Sequence, residues 1–97
     1  MTDEAHNLLA ALPSGYSEGD YAGDRWGLTI KRSDDGRRWW LWGEALAGGA
    51  HVSGNLYVLA DGRSLLKPCE MPAATVLAFL RGFRPDQDDG ISRLALA

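Results

Sequence analysis

The sequence predicts a single α+β domain, in which an antiparallel β-sheet of about four strands, arranged as two hairpins, is packed on one face by a C-terminal α-helix. Three observations support this prediction. Short segments alternate apolar and polar residues, turn signals rich in Asp and Gly join these segments in pairs, and one later segment has apolar residues at helical spacing. The 97 residues suit one hydrophobic core, with an ordered part over about residues 15–84 and flanks at 1–14 and 85–97 whose order stays open.

A short helix is predicted near the N-terminus, over residues 3–12. Leu8, Leu9 and Leu12 fall on one side of it, and Pro13 ends the run. A helix of this length is marginal in isolation, so it must either dock on the domain or fray. Residues 15–24 mix Gly, Ser, Asp and two tyrosines without clear periodicity, which allows either a loop or an irregular edge strand.

The first hairpin is predicted over residues 25–42. Trp26, Leu28 and Ile30 alternate with smaller or polar residues, which indicates a half-buried strand. The sequence Ser-Asp-Asp-Gly at residues 33–36 is typical of a turn, and the β-prone residues resume immediately after it. These two runs therefore pair as neighbouring antiparallel strands.

Two registers of this hairpin are open, and they bury different tryptophans. A three-residue loop, with Gly36 as a bulge, places Trp40 and Trp42 on the face of the first strand's apolar residues. A two- or four-residue loop places Trp39 and Leu41 there instead. The turn sequence slightly favours the bulged loop. In either register at least one tryptophan points away from the core, because neighbouring residues on a strand point to opposite faces.

The second hairpin and the C-terminal helix complete the predicted domain. Residues 51–60 indicate a third strand that is partly apolar on both faces, and Asp61-Gly62 turns the chain into a fourth strand that Pro68 ends. The helix is predicted from Pro72 to Arg81, because apolar residues follow helical spacing at Ala73, Val76, Phe79, Leu80 and Phe83. An acidic C-terminal tail begins at residue 86.

Composition argues against several classes of protein. Cys69 is the single cysteine, so no internal disulfide forms and a reducing cytoplasm is the expected location. No export signal is recognisable, and no apolar run approaches the roughly 20 residues that cross a bilayer, so no membrane association is expected. The glycines form no phosphate loop, and His6 and His51 lack neighbours at ligand spacing, so neither a cofactor nor a metal is predicted.

Basic and aromatic residues are concentrated in the first hairpin, at Lys31, Arg32, Arg37, Arg38, Trp39, Trp40 and Trp42. Aromatic side chains interleaved with cations on a sheet are typical of single-strand nucleic acid binders, because bases stack on the rings and phosphates pair with the cations. The order of four strands and then a helix, over about residues 26–83, resembles the architecture of the coactivator and Whirly type of single-strand binder. That resemblance implies single-stranded nucleic acid as a partner.

The distribution of charge weighs against this reading. Residues 25–84 hold nine basic and five acidic side chains, yet the whole chain has a net charge of −3, so the flanking segments are acidic. Acidic flanks repel a polyanion, and nucleic acid modules are usually distinctly basic. Nucleic acid binding is therefore the second hypothesis rather than the first.

Candidate catalytic chemistry is weaker still. His51 and Cys69, with Glu44 as a third group, are the residue types of a thiol enzyme, but nothing in their spacing predicts contact among them. No catalytic residue is therefore predicted. A third hypothesis is a small-ligand pocket between the helix and the sheet near His51, Tyr57 and Cys69.

The function that the sequence favours is a non-enzymatic interaction domain. A sheet covered on one face only leaves outward tryptophans exposed, unless Tyr16, Tyr21 and the glycine-rich segment around them cover that face. An exposed aromatic patch is commonly a protein contact site. The expected partner is a second copy of the chain, giving a homodimer, or another protein bound at the same Trp-rich face.

Overall fold

The computed structural model describes residues 4–86, which form a six-stranded antiparallel sheet with two helices. In chain order the elements are α1 (Glu4–Ala11), β1 (Gly15–Tyr21), β2 (Asp24–Arg32), β3 (Arg38–Ala45), β4 (His51–Val58), β5 (Ser64–Pro68), α2 (Ala73–Gly82) and β6 (Arg84–Pro85). The strand order is β5-β4-β3-β2-β1-β6. The predicted α+β class and the C-terminal helix packed on an antiparallel sheet are confirmed. The predicted number of strands was too low, and the predicted acidic tail after residue 86 lies outside the described residues.

Strands β1 and β6 account for the difference in strand number. β1 is regular and pairs with β2 from Gly15 opposite Ile30 to Tyr21 opposite Asp24. The two strands are joined by a tight turn in which Ala22 and the glycine after it both have positive φ, 53° and 86°. This is the geometry that suits the twist of a two-residue hairpin. β6 extends the edge of the sheet by two residues beside β1.

The core lies between the two helices and one face of the sheet. Trp39 and Leu41 are buried on this face, opposite Arg32 and Ile30 of the neighbouring strand, so the bulged register that the turn sequence favoured was wrong. The amide of Ser33 donates to the carbonyl of Arg38 at 2.8 Å, which leaves a four-residue loop. An even number of loop residues exchanges the two faces of β3 relative to the bulged form.

Side-chain hydrogen bonds explain why this longer loop is stable. The Ser33 hydroxyl donates to the Asp35 carboxylate at 2.6 Å, and that carboxylate also accepts the backbone amide of Arg37. Both hydrogen bonds hold the pKa of Asp35 below its ordinary value, and the bond from the Ser33 hydroxyl has the larger effect. Gly36 closes the turn at φ +72°, a conformation that costs glycine little.

Both helices pack on the same face of the sheet. In α2 the apolar stripe Val76, Phe79 and Leu80 is buried, and the Phe79 ring sits so close to β3 that a Cβ atom on Gly43 would lie 3.1 Å from it. α1 docks rather than frays, since Leu9 is fully buried. Among the described residues, no helix is long and apolar enough to cross a membrane.

Candidate interaction surface

The sheet face opposite the helices is called here the open face, because no described element packs on it. Strand alternation and the pairing register assign its residues, which run in rows across the strands. From one end to the other these rows are Asp20, Arg25 and Arg84, then Glu18, Gly27, Glu44 and His51, then Tyr16, Thr29, Trp42 and Ser53, then Lys31, Trp40, Asn55 and Lys67, and last Arg38, Tyr57 and Leu65.

Aromatic side chains occupy the middle of the open face. Trp42 is 37% exposed, and its ring stacks on the His51 ring with centroids 4.9 Å apart. Its indole N–H donates a long hydrogen bond to the Glu44 carboxylate at 3.4 Å. Tyr16, at 58% exposure, lies across Gly27, where a side chain would collide with the ring. The hydroxyl of Tyr16 donates to Glu18 at 2.9 Å, and this bond raises the pKa of the phenol.

A basic depression lies at the end of the open face nearest the β2–β3 turn. Its volume is about 320 Å³, and it is lined by Lys31, Arg32, Ser33, Arg38, Trp39, Trp40, Asn55 and Tyr57. The Lys31 ammonium lies 5.3 Å from the centroid of the Trp40 ring, within the range of a cation–π contact. Within residues 4–86, neither Lys31 nor Arg38 has a carboxylate within 4.0 Å, so their positive charge is available to an anion from outside.

Acidic side chains gather at the opposite end of the open face. Arg25 there pairs with Asp86 at 2.6 Å and Asp20 at 3.1 Å, and it lies 3.9 Å from Glu18. Three carboxylates thus surround one guanidinium, whose hydrogen bond holds the pKa of Asp86 below its ordinary value. Glu44 adds a further exposed carboxylate in the row of Glu18, so the four carboxylates of this end outnumber its two guanidinium groups, those of Arg25 and Arg84. The open face is therefore polarised, with a basic end, an aromatic centre and an acidic end.

The predicted binding residues are only partly brought together. Lys31, Arg38, Trp40 and Trp42 share the open face, as the nucleic acid hypothesis requires. The side chains of Arg32 and Trp39 lie on the helix face, where the guanidinium is 5.6 Å from the indole centroid, although both reach the rim of the basic depression.

Arg37 is an exposed residue of the turn that precedes β3, and it is not among the residues that line the basic depression. Sequence reasoning missed the acidic end, because two of its carboxylates lie in β1, whose sequence allows either a loop or an irregular edge strand, and the others come from distant parts of the chain. The available signal was the alternation of Tyr16, Glu18 and Asp20 with small residues.

The three residues of the hypothetical ligand pocket are not gathered between helix and sheet. His51 and Tyr57 lie on the open face, six residues apart on β4 and so about 20 Å from each other. Cys69 follows β5, where its backbone amide donates to the Ser53 carbonyl at 3.1 Å. Glu44 is the direct partner of His51 across the strands, but no hydrogen bond joins the imidazole to the Cys69 thiol in the described part of the chain.

The chain was compared with protein families, curated proteins and solved structures. No family model, curated protein or solved structure matches the chain. Over residues 4–86 no group of three or more His, Cys, Asp or Glu side chains is placed to hold a metal ion.

Proposed function

We propose that the protein is a non-enzymatic interaction domain that self-associates through the open face. The observation that supports this proposal is the exposed aromatic centre, Trp42 with Tyr16, on a sheet face that no described element covers. Both helices pack on the other face of the sheet, where they bury the core. Exposed aromatic surface of this kind is typical of a protein contact site.

The polarity of the same face favours a second copy as the occupant. An isologous contact needs a surface that is complementary to itself, and the open face offers a basic end and an acidic end on either side of an aromatic centre.

The area of the open face is adequate for a modest interface. Five strands cover about 24 Å by about 20 Å, on the order of 500 Å² in projection, and side-chain relief brings the accessible area towards the roughly 800 Å² of a standard interface.

The aromatic centre provides the test. Trp42→Ala removes the largest exposed ring of the open face, and we expect the dimer to weaken by about tenfold or more because central aromatic residues dominate many interfaces. Trp42→Tyr keeps a flat ring in the same place and serves as the matched control. Light scattering coupled to size exclusion, with far-UV circular dichroism to confirm folding, measures both variants. Equal association of the Ala variant and the wild type would contradict the proposal.

A second candidate function, single-stranded nucleic acid binding, is supported by the basic depression. Lys31 and Arg38 stand beside the Trp40 ring, so a phosphate and a stacked base have adjacent sites. Titration with a mixed-sequence single-stranded oligonucleotide at low salt, followed by tryptophan fluorescence, tests it. Quenching that reverses with added salt supports this function, whereas unchanged fluorescence contradicts it.

A further inference from the structure

We infer that two copies pack open face on open face about a twofold axis that runs across the strands, so that Glu44 of each copy enters the basic depression of the other. This inference rests on the proposed self-association and specifies its geometry. The observation behind it is the juxtaposition, on one uncovered face, of a depression whose cations have no carboxylate within 4.0 Å among residues 4–86 and a row of exposed carboxylates on the other side of Trp42.

Two twofold arrangements bring one sheet face onto a second copy of itself. With the axis parallel to the strands, the basic end of one copy faces the basic end of the other, and their two basic depressions lie over each other. With the axis across the strands, each basic end lies over an acidic end. Like charges brought together without counterions oppose association, whereas opposite charges favour it and fix the register. The polarity of the open face therefore selects the axis across the strands.

The register of the rows then determines which residues meet. Trp42 stands in the middle row, two residues along β3 from Trp40 and two from Glu44. An axis through that row places Trp42 of one copy near Trp42 of the other. It also places the row of Glu44 in each copy over the row of Trp40 in the other. Glu44 of one copy is thereby carried over Trp40 of the other, between Lys31 and Arg38. Aligned packing of two twisted sheets, at about 30°, is compatible with this placement.

Glu18 strengthens the same complementarity. It shares the row of Glu44, with Gly27 of β2 between the two carboxylates. When the rows are exchanged, this pair of carboxylates faces the row of Lys31, which lies on β2 like Gly27. The carboxylates thus bracket the lysine.

Charge reversal tests this geometry without disturbing the core. Lys31→Glu and Glu44→Lys each change an exposed side chain, and each places like charges at both symmetry-related contacts of the dimer. We expect the dimer dissociation constant of each single variant to rise by about tenfold or more. The double variant, which carries both changes in one chain, exchanges the two charges and should regain wild-type association. An equimolar mixture of the single variants should form a mixed dimer for the same reason.

Arg37→Glu is the matched control. It alters the net charge by the same amount as Lys31→Glu, but its side chain lies in the exposed turn and not on the open face. Its association should equal that of the wild type. Sedimentation velocity over a range of concentrations, with circular dichroism to confirm folding, reports on all of the variants.

The outcomes separate this inference from the proposed function. Loss of dimer in both single variants, with recovery in the double variant and in the mixture, supports the axis across the strands. A dimeric wild type whose single variants associate equally well overturns the geometry but leaves self-association in place. A wild type that stays monomeric overturns both.

Discussion

The hairpin register makes the sharpest prediction about stability, because it decides which tryptophan belongs to the core. Trp39 is 8% exposed, its indole N–H donates to the Gly36 carbonyl at 2.9 Å, and the His6 ring packs on it edge to face. Removing a buried tryptophan side chain costs about 3–5 kcal/mol, which includes the cavity that is left behind. Trp39→Ala should therefore lower the free energy of unfolding by about 4 kcal/mol.

Trp42 provides the comparison on the opposite face. Its ring is partly exposed and stacks on His51, a contact worth about 0.5–1.5 kcal/mol in an aromatic pair. Trp42→Ala should cost no more than about 1.5 kcal/mol. Since association also stabilises a folded chain, the comparison is made at a low protein concentration where the monomer dominates.

Urea unfolding followed by far-UV circular dichroism measures both variants. A chain of this length has a total stability of about 5–15 kcal/mol, so Trp39→Ala should remove a large share of it and move the midpoint strongly. Trp39→Phe keeps part of the apolar volume and should fall between the wild type and the Ala variant. A larger loss for Trp42→Ala than for Trp39→Ala would refute the four-residue loop, because the bulged register buries Trp42 instead.

Three further predictions concern the close approach of α2, the acidic end and the turn. Gly43→Val places a side chain against Phe79 and should cost about 1–3 kcal/mol in urea unfolding, and an unchanged midpoint would argue against that contact. The Arg25 guanidinium lowers the pKa of Asp86, so this carboxylate stabilises the fold fully above about pH 5 and loses that effect as pH falls through its folded-state pKa. Thermal unfolding should consequently lose less stability in acid for Arg25→Gln than for the wild type, and equal losses would count against the pair. Gly36→Ala forces alanine to φ +72° and should lower stability by about 1 kcal/mol in the same urea assay, whereas a neutral result would contradict the turn geometry.

Much of the fold could be predicted because its strongest signals are local. The apolar spacing of Val76, Phe79 and Leu80 gave α2, and the alternation of Trp26, Leu28 and Ile30 gave β2. Both patterns reflect burial on one face, so they are readable wherever a single face is buried.

β1 was ambiguous because its burial signal is weak. The residues it turns towards the helices are Ser17, Gly19 and Tyr21, so neither of its faces is consistently apolar. Gly19 is required there because the backbone of Arg84 in β6 occupies the space of a side chain. That contact joins residues far apart in sequence, and no local pattern reveals it.

The candidate surface was only half predictable for a related reason. The cations and tryptophans of the first hairpin are close in sequence, so the sequence alone predicts them as a group. Their faces depended on a difference of one residue in loop length, which the bonds among Ser33, Asp35 and Arg37 decide. The acidic end is assembled from β1, β2 and the residue after β6, so it emerges only from the strand order.

Self-association through the open face is tested most directly by sedimentation equilibrium of the unmodified chain, at concentrations from about 1 μM to about 1 mM, the range that brackets a modest interface. The proposed contact predicts a mass that rises with concentration from the 10.5 kDa of one chain to twice that value and then stays constant. A constant mass of one chain at every concentration would contradict self-association. Single-stranded nucleic acid binding would then be the favoured function of the open face.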